Sequence, residues 1–226
     1  MQSLKEKPLS QESLKLIACI TMLIDHIGAI FVPTWPFFRI IGRISFPIFC
    51  FLLVEGFHHT KNARKYGLRL LLSAVISEVI FDLAFYGQPT WDASSVMVTL
   101  FLGFCVLQII QSKQNIVIKV ICALLFALAG GMLHSDYGVY GILLIFLFDL
   151  TRKLPNKKVI QLAVMILLFY HMGGIAIYAA FSIIPISLYS AQKKTYNKAI
   201  QWTFYLFYPV HLFVLYLIKF LLTSIY

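Results

Sequence analysis

The sequence predicts an all-α fold, a polytopic bundle of about nine transmembrane helices forming a single domain over residues 1–226. Three observations predict it. Hydrophobic residues make up 60% of the chain and charged residues only 12%, where a soluble domain carries about 25% charged. Apolar runs of roughly 17 to 25 residues, the length that crosses a bilayer as helix, recur from one end to the other. The basic residues gather in alternate connections between these runs, where orientation signals belong.

The first run, about 14–32, follows a polar tail and holds Asp25 and His26. No small-residue cleavage site stands out, so it reads as a retained span and not a signal peptide. Pro33 and Pro36 mark its end. The second run, 37–57, begins with Arg39 and Arg43, and the third, 66–86, ends with Glu78 and Asp82 ahead of Pro89. Runs four and five cover 95–111 and 116–132. The sixth and seventh, 137–150 and 158–172, are short and flank Pro155. Gly173-Gly174 separates them from the eighth, 174–190. The ninth, 200–222, contains Tyr208-Pro209-Val210-His211. No internal repeat or low-complexity linker divides the chain, so one domain is the simplest organisation.

Charge then assigns the sides. Lys5, Lys7 and Lys15 lie in or near the N-terminal tail, and Lys61, Arg64, Lys65 and Arg69 around the second connection. Lys113 and Lys119 flank the fourth connection. Arg152, Lys153, Lys157 and Lys158 occupy the sixth, and Lys193, Lys194 and Lys198 the eighth. The other connections have no Lys or Arg. Alternation over nine spans therefore puts the N-terminus in the cytosol and the C-terminus outside, in a multi-pass protein of the cell (inner or plasma) membrane. Arg39, Arg43 and Lys219 are the exceptions. Lys219, near a helix end, can snorkel. The net charge of +10 is thus an orientation signal and does not imply nucleic acid. The cysteines, Cys19, Cys50, Cys105 and Cys122, sit in apolar runs without CxxC or metal-ligand spacing and read as small buried hydrophobes.

Orientation converts position into depth at about 1.5 Å per residue. His26 lies roughly 9 Å below the outer end of its span. Arg39 and Arg43 fall in the first two turns of the next, and Glu78 and Asp82 in the last turns of the third. Both pairs are spaced i,i+4 and share a helix face. Two arginines and two carboxylates at one depth are expected to neutralise each other, the cheapest way to keep four charges in a membrane. His134, Asp136 and His171 fall near the same outer boundary, and His211 nearer mid-span. Glu55 is expected to cap its helix or pair with the basic connections, and His58 and His59 to lie at the inner interface.

Such a layer suits acid–base chemistry. An imidazole is a fitting general base for an amine or hydroxyl, and arginines can stabilise charge on a tetrahedral intermediate. Adjacent helical residues point about 100° apart, so Asp25 is poorly placed to orient His26; Glu78, Asp82 or Asp136 are the geometric candidates. HExxH, Walker A and GxGxxG are all missing. A proton-coupled transporter, or an assembly protein using the layer only to pack helices, are the alternatives.

The blocks LKLIACITMLIDHIGAIF (14–31), IGRISFPIFCFLLVEGF (41–57), ARKYGLRLLLSAVISEVIFDLAF (63–85), SDYGVYGILL (135–144) and FYPVHLFVLYLI (207–218) together resemble the TraX family, which includes the F-pilin acetylase of conjugation systems. They run in family order over most of the chain. The resemblance implies an integral-membrane acyltransferase using acetyl-CoA or another acyl-CoA, with no metal. The layout is also similar to O-antigen acetylases and the lysosomal heparan glucosaminide acetyltransferase. By that analogy His26 is the catalytic histidine and Arg39 and Arg43 help build the active site; the polar layer itself adds Asp25, Glu78 and Asp82 to the expected catalytic group. Asp136, His134 and His211 are then expected at the acceptor, and Lys61, Arg64 and Arg69 at the acyl-CoA phosphates. The implied acceptor is an extracytoplasmic amine or hydroxyl, on a peptide N-terminus or a glycan.

Overall fold

The computed structural model describes residues 9–190 and 198–224, with side chains of the last helix from residue 202 onward. Lys5, Lys7, Lys193 and Lys194 lie outside the described residues. Within them the chain is helical: α1 Gln11–Phe31, α2 Pro36–Gly42, α3 Ser45–His59, α4 Ala63–Tyr86, α5 Val96–Ile110 and α6 Ile116–Met132, then α7 Gly138–Thr151 and α8 Lys157–Met172. A 3₁₀ segment, Gly174–Ser182, leads into α9 Ile183–Ser187, and α10 Lys198–Ser224 closes the chain. Every predicted run coincides with one of these to within a few residues. The second is split into α2 and α3, and the eighth is a 3₁₀ segment plus a short α-helix.

Local chemistry explains the boundaries. Ser10, Asn62 and Asn115 cap α1, α4 and α6, each side-chain oxygen accepting from the N–H three residues on; these caps satisfy donors the helix leaves orphaned. Gly87 ends α4 with φ +75°, in the left-handed region. The α2–α3 break follows from Pro47. Its ring has no N–H and collides with the carbonyl four residues back, that of Arg43, where α2 stops. Pro209 does not break α10. It frees the Tyr205 carbonyl, four residues earlier, and the Ser73 hydroxyl of α4 donates to that oxygen at 3.3 Å.

Three stretches, Gln11–Phe31, Pro36–His59 and Trp202–Ser224, are long and apolar enough to cross a membrane; Val96–Ile110, Ile116–Met132, Gly138–Thr151 and Gly174–Ser187 are shorter apolar helices. α5 lies centrally, packed on α3, α4, α6 and α7, while α10 crosses α1 and α4. The interior is apolar, with Leu14, Ile48, Leu107, Phe148 and Phe169 fully enclosed. So is the perimeter. α4 turns Leu68, Leu72, Val75 and Val79 outward, and α6, of which only Gly130 is buried, exposes Ile121, Leu124, Leu125 and Leu128. A soluble monomer rarely exposes contiguous apolar faces of this kind; hydrocarbon is their natural solvent. The chain is a helical membrane protein.

The two ends of the bundle differ. At one, Glu55 at the end of α3 pairs with Arg152 at 3.0 Å, as expected of it, and His58 bonds Asp149 of α7. Gln111 also donates to Asp149, at 3.2 Å. The basic connections holding Lys61, Lys113 and Lys153 lie at this end. At the other end the connections lack Lys and Arg, and Lys219 reaches up α10 to donate to the Ala84 carbonyl at 3.2 Å.

Candidate active site

The polar groups of the first two helices meet at the end without basic connections. α2 folds back on α1 at unusually close range, because each helix presents a glycine where the other presents a side chain. A Cβ on Gly42 would lie 2.2 Å from the Asp25 carboxylate, and one on Gly28 would lie 2.3 Å from Phe38 Cβ. The notch at Gly42 brings Asp25 against both arginines. Arg39 Nη1 donates to Asp25 Oδ2 at 2.5 Å, and Arg43 Nη2 to Oδ1 at 3.4 Å. Asp25 and Arg43 are buried, whereas the Arg39 side chain keeps 31% exposure. Asp25 therefore neutralises the arginines; Glu78 and Asp82 do not. That corrects the expected pairing.

Glu78 and Asp82 hold the α4–α5 connection instead. Glu78 Oε1 accepts from Ser95 N at 2.7 Å, and Asp82 Oδ2 from Thr90 N at 3.0 Å. Both take backbone donors that would otherwise be unpaired, so their charge is used in the loop. The loop is in turn paired with the turn before α7: Asp136 N donates to the Ser94 carbonyl at 2.9 Å, and Ser94 N to that of His134 at 3.2 Å. Thr99 Oγ1 donates to the Asp136 carbonyl at 2.5 Å. His134 and Tyr137 both take positive φ, 47° and 63°, a conformation held by these bonds. The turn delivers Tyr137 to Arg43, whose Nη1 donates to the phenol oxygen at 3.1 Å, while the Tyr137 ring stacks on Phe46 at 3.8 Å. In the sequence Tyr137 lies in the SDYGVYGILL block (135–144), with no charge or unusual residue type to mark it. Its only signal there is an aromatic hydroxyl next to an acid.

Asp136 faces the same cluster. The residue is exposed, although its carboxyl has many protein atoms around it. That enclosure raises its carboxyl pKa, with Arg43 and then Arg39 acting in the opposite sense.

His26 is buried among α1, α4 and α10, edge-on to Phe85 and Tyr208 at 5.7 and 5.8 Å. Its partner is not a carboxylate. His26 Nδ1 lies 2.7 Å from His211 Nε2, the rings inclined by only 5°. His211, expected at the acceptor, is the hydrogen-bond partner of His26; Glu78, Asp82 and Asp136, expected in that place, are not. The sequence could not select it because 185 residues separate the two rings.

Asp25, Arg39, Arg43, Asp136 and the two bonded histidines therefore form one layer, supplemented by Tyr137. His134 and His171 are exposed. Of the residues expected at acyl-CoA, Lys61 and Arg64 are exposed near the opposite end, and Arg69 lies over the Tyr66 and Tyr205 rings at 5.8 and 5.6 Å. No group of three or more potential metal ligands occurs among the described residues.

A family model described as "TraX protein" matches residues 10–219. The chain is 30% identical to "Probable fimbrial assembly protein FimC, serogroup H1" of Dichelobacter nodosus, over 89% of this chain and 92% of that protein. It is 34% identical to "Uncharacterized protein RP591" of Rickettsia prowazekii (strain Madrid E), over 42% of this chain and 35% of that protein. No solved structure matches.

Proposed function

The chain belongs to the TraX family, and from that premise we propose that it is a membrane acyltransferase, moving an acetyl or other acyl group from acyl-CoA to an amine or hydroxyl, with His26 as general base. The observation that carries this reading is a buried imidazole beside an Asp25–Arg39–Arg43 cluster that is open on one side. The base would accept the nucleophile's proton. Arg39, the more exposed guanidinium, would face the oxygen that becomes negative when the thioester carbonyl is attacked. Asp136, at the opening, would bind a cationic amine before it is deprotonated.

The topology that goes with this reading has about nine spans and a cytosolic N-terminus, in the inner or plasma membrane. Acyl-CoA then approaches from the end bearing Lys61, Arg64 and Arg69, and the acceptor from the end bearing Asp136. Arg69, on α4, lies over the Tyr205 ring of α10, and both helices border His26, which supports an approach along them. The name of the Dichelobacter relative supports an acceptor on a fimbrial or pilus subunit, such as a peptide N-terminus.

The test is saturable thermal stabilisation of the purified protein by acetyl-CoA, which a ligand binding only the folded state must produce. It is joined to release of coenzyme A thiol in the presence of a peptide amine. His26→Ala is expected to lower transfer by on the order of 10²–10⁴-fold while leaving the acetyl-CoA stabilisation in place. Full turnover by that variant, or proton flux in liposomes with no acetyl-CoA consumed, would replace this reading with a proton relay in a transporter.

A further inference from the structure

The bond between the two histidines carries more than proximity. His211 Nδ1 lies 2.6 Å from the backbone carbonyl of Phe207. A carbonyl oxygen only accepts, so Nδ1 must carry a hydrogen. A neutral imidazole has one donor nitrogen and one acceptor nitrogen, which leaves His211 Nε2 with a bare lone pair. That lone pair sits 2.7 Å from His26 Nδ1, and one hydrogen must lie between them, so His26 Nδ1 supplies it. The remaining nitrogen, His26 Nε2, is then unprotonated. The Phe207 carbonyl therefore sets the tautomer of His26 through His211.

Aromatic rings and a helix contact frame this hydrogen-bonded pair. His211 stacks on Phe207 at 4.7 Å and lies edge-on to Tyr208 at 5.6 Å. The helix turn before it is anchored where Ser73 bonds the carbonyl freed by Pro209. We infer that His211 is a positioning residue that holds His26 as the Nδ1–H tautomer, in the place where an orienting carboxylate would otherwise be needed.

The inference rests on the acyl-transfer reading for its consequence. The acceptor's lone pair forms a bond to the thioester carbonyl carbon, and its proton passes to His26 Nε2. The carbon–sulfur bond then breaks with its electron pair on sulfur. His26 Nε2 returns the proton to that thiolate, giving free coenzyme A, and Nδ1–H stays bonded to His211 throughout. The opposite tautomer would present an N–H to the nucleophile and could not begin this sequence.

Two variants of the full-length protein in detergent test it. Glutamine at 211 can accept from His26 and donate to the Phe207 carbonyl; leucine can do neither. With acetyl-CoA and a short peptide amine as probes, His211→Gln is expected to stay within about tenfold of wild type, and His211→Leu to fall by on the order of 10²–10⁴-fold. Nitrogen-15 spectra of histidine-labelled protein give a readout that does not need activity. His26 should show a protonated Nδ1 and bare Nε2 in wild type and His211→Gln, and lose that preference in His211→Leu. A protonated Nε2 on His26 in wild type would overturn the inference, as would equal rates for the two variants. If wild type consumes no acetyl-CoA, the acyl-transfer reading fails, and the spectra alone decide the tautomer. If His211→Leu does not fold, the wild-type spectrum with the His211→Gln rate still decides.

Discussion

At the scale of single residues, the layer is organised by where each charge finds its partner. Asp25 is the only carboxylate ion-paired with Arg39 and Arg43 among the described residues. Removing one partner of a buried pair leaves the other charge unmatched, at a cost of about 3–5 kcal/mol. Asp25→Asn is expected near the lower figure, because Arg39 is one-third exposed and water can compensate it in part. Thermal unfolding in detergent measures this; a variant as stable as wild type would show that the arginines do not depend on Asp25. Glu78 makes the contrasting case. It acts as a hydrogen-bond acceptor for Ser95 N, a task a neutral amide can share. Glu78→Gln is therefore expected to cost about 1 kcal/mol or less, and Glu78→Ala more, since it leaves that donor unpaired. Equal losses in the two variants would mean that its charge matters after all.

At the scale of elements, one proline and two glycines shape the site. Pro47 ends α2 at Arg43, so that this guanidinium leaves a broken helix and turns toward both Asp25 and Tyr137. Gly28 and Gly42 let α1 and α2 approach closely, as small residues do between membrane helices. A methyl group at Gly42 would meet Asp25 at 2.2 Å and must push the carboxylate off Arg39 or the helices apart. Overpacking of this kind costs about 1–3 kcal/mol. Gly42→Ala is expected to lower the unfolding temperature and also reduce acyl transfer, whereas Gly87→Ala, with nothing within 4 Å but a φ of +75°, should strain only its turn and spare transfer. Measuring both properties on the pair separates loss of site geometry from general destabilisation.

For the whole molecule, the question is which side each end faces. The end with basic connections should be cytosolic and the end with Asp136 outside. Cysteine placed at Trp91, which is 92% exposed, should react in intact cells with a membrane-impermeant maleimide. Cysteine at Lys153 should react only after permeabilisation. The reverse pattern would invert the bundle and put the acceptor and acyl-CoA on exchanged sides.

By itself the sequence determined the helices and much of the site's membership. Hydrophobic run length and proline or glycine punctuation are local properties, so every predicted run recurs as helix, including the one Pro47 divides. Rarity in an apolar run likewise marked Asp25, His26, Arg39, Arg43 and His211, since ionisable groups are seldom left in hydrocarbon. Only the tertiary structure decided who pairs with whom. Helical spacing gives the face and depth of a residue but not the rotation of one helix against another. Depth alone therefore joined Glu78 and Asp82 to the arginines, when both are turned to the loop above them. The same rotation brings His211 onto His26 from the far end of the chain. Tyr137 reaches Arg43 through a turn of positive φ that no periodicity foretells.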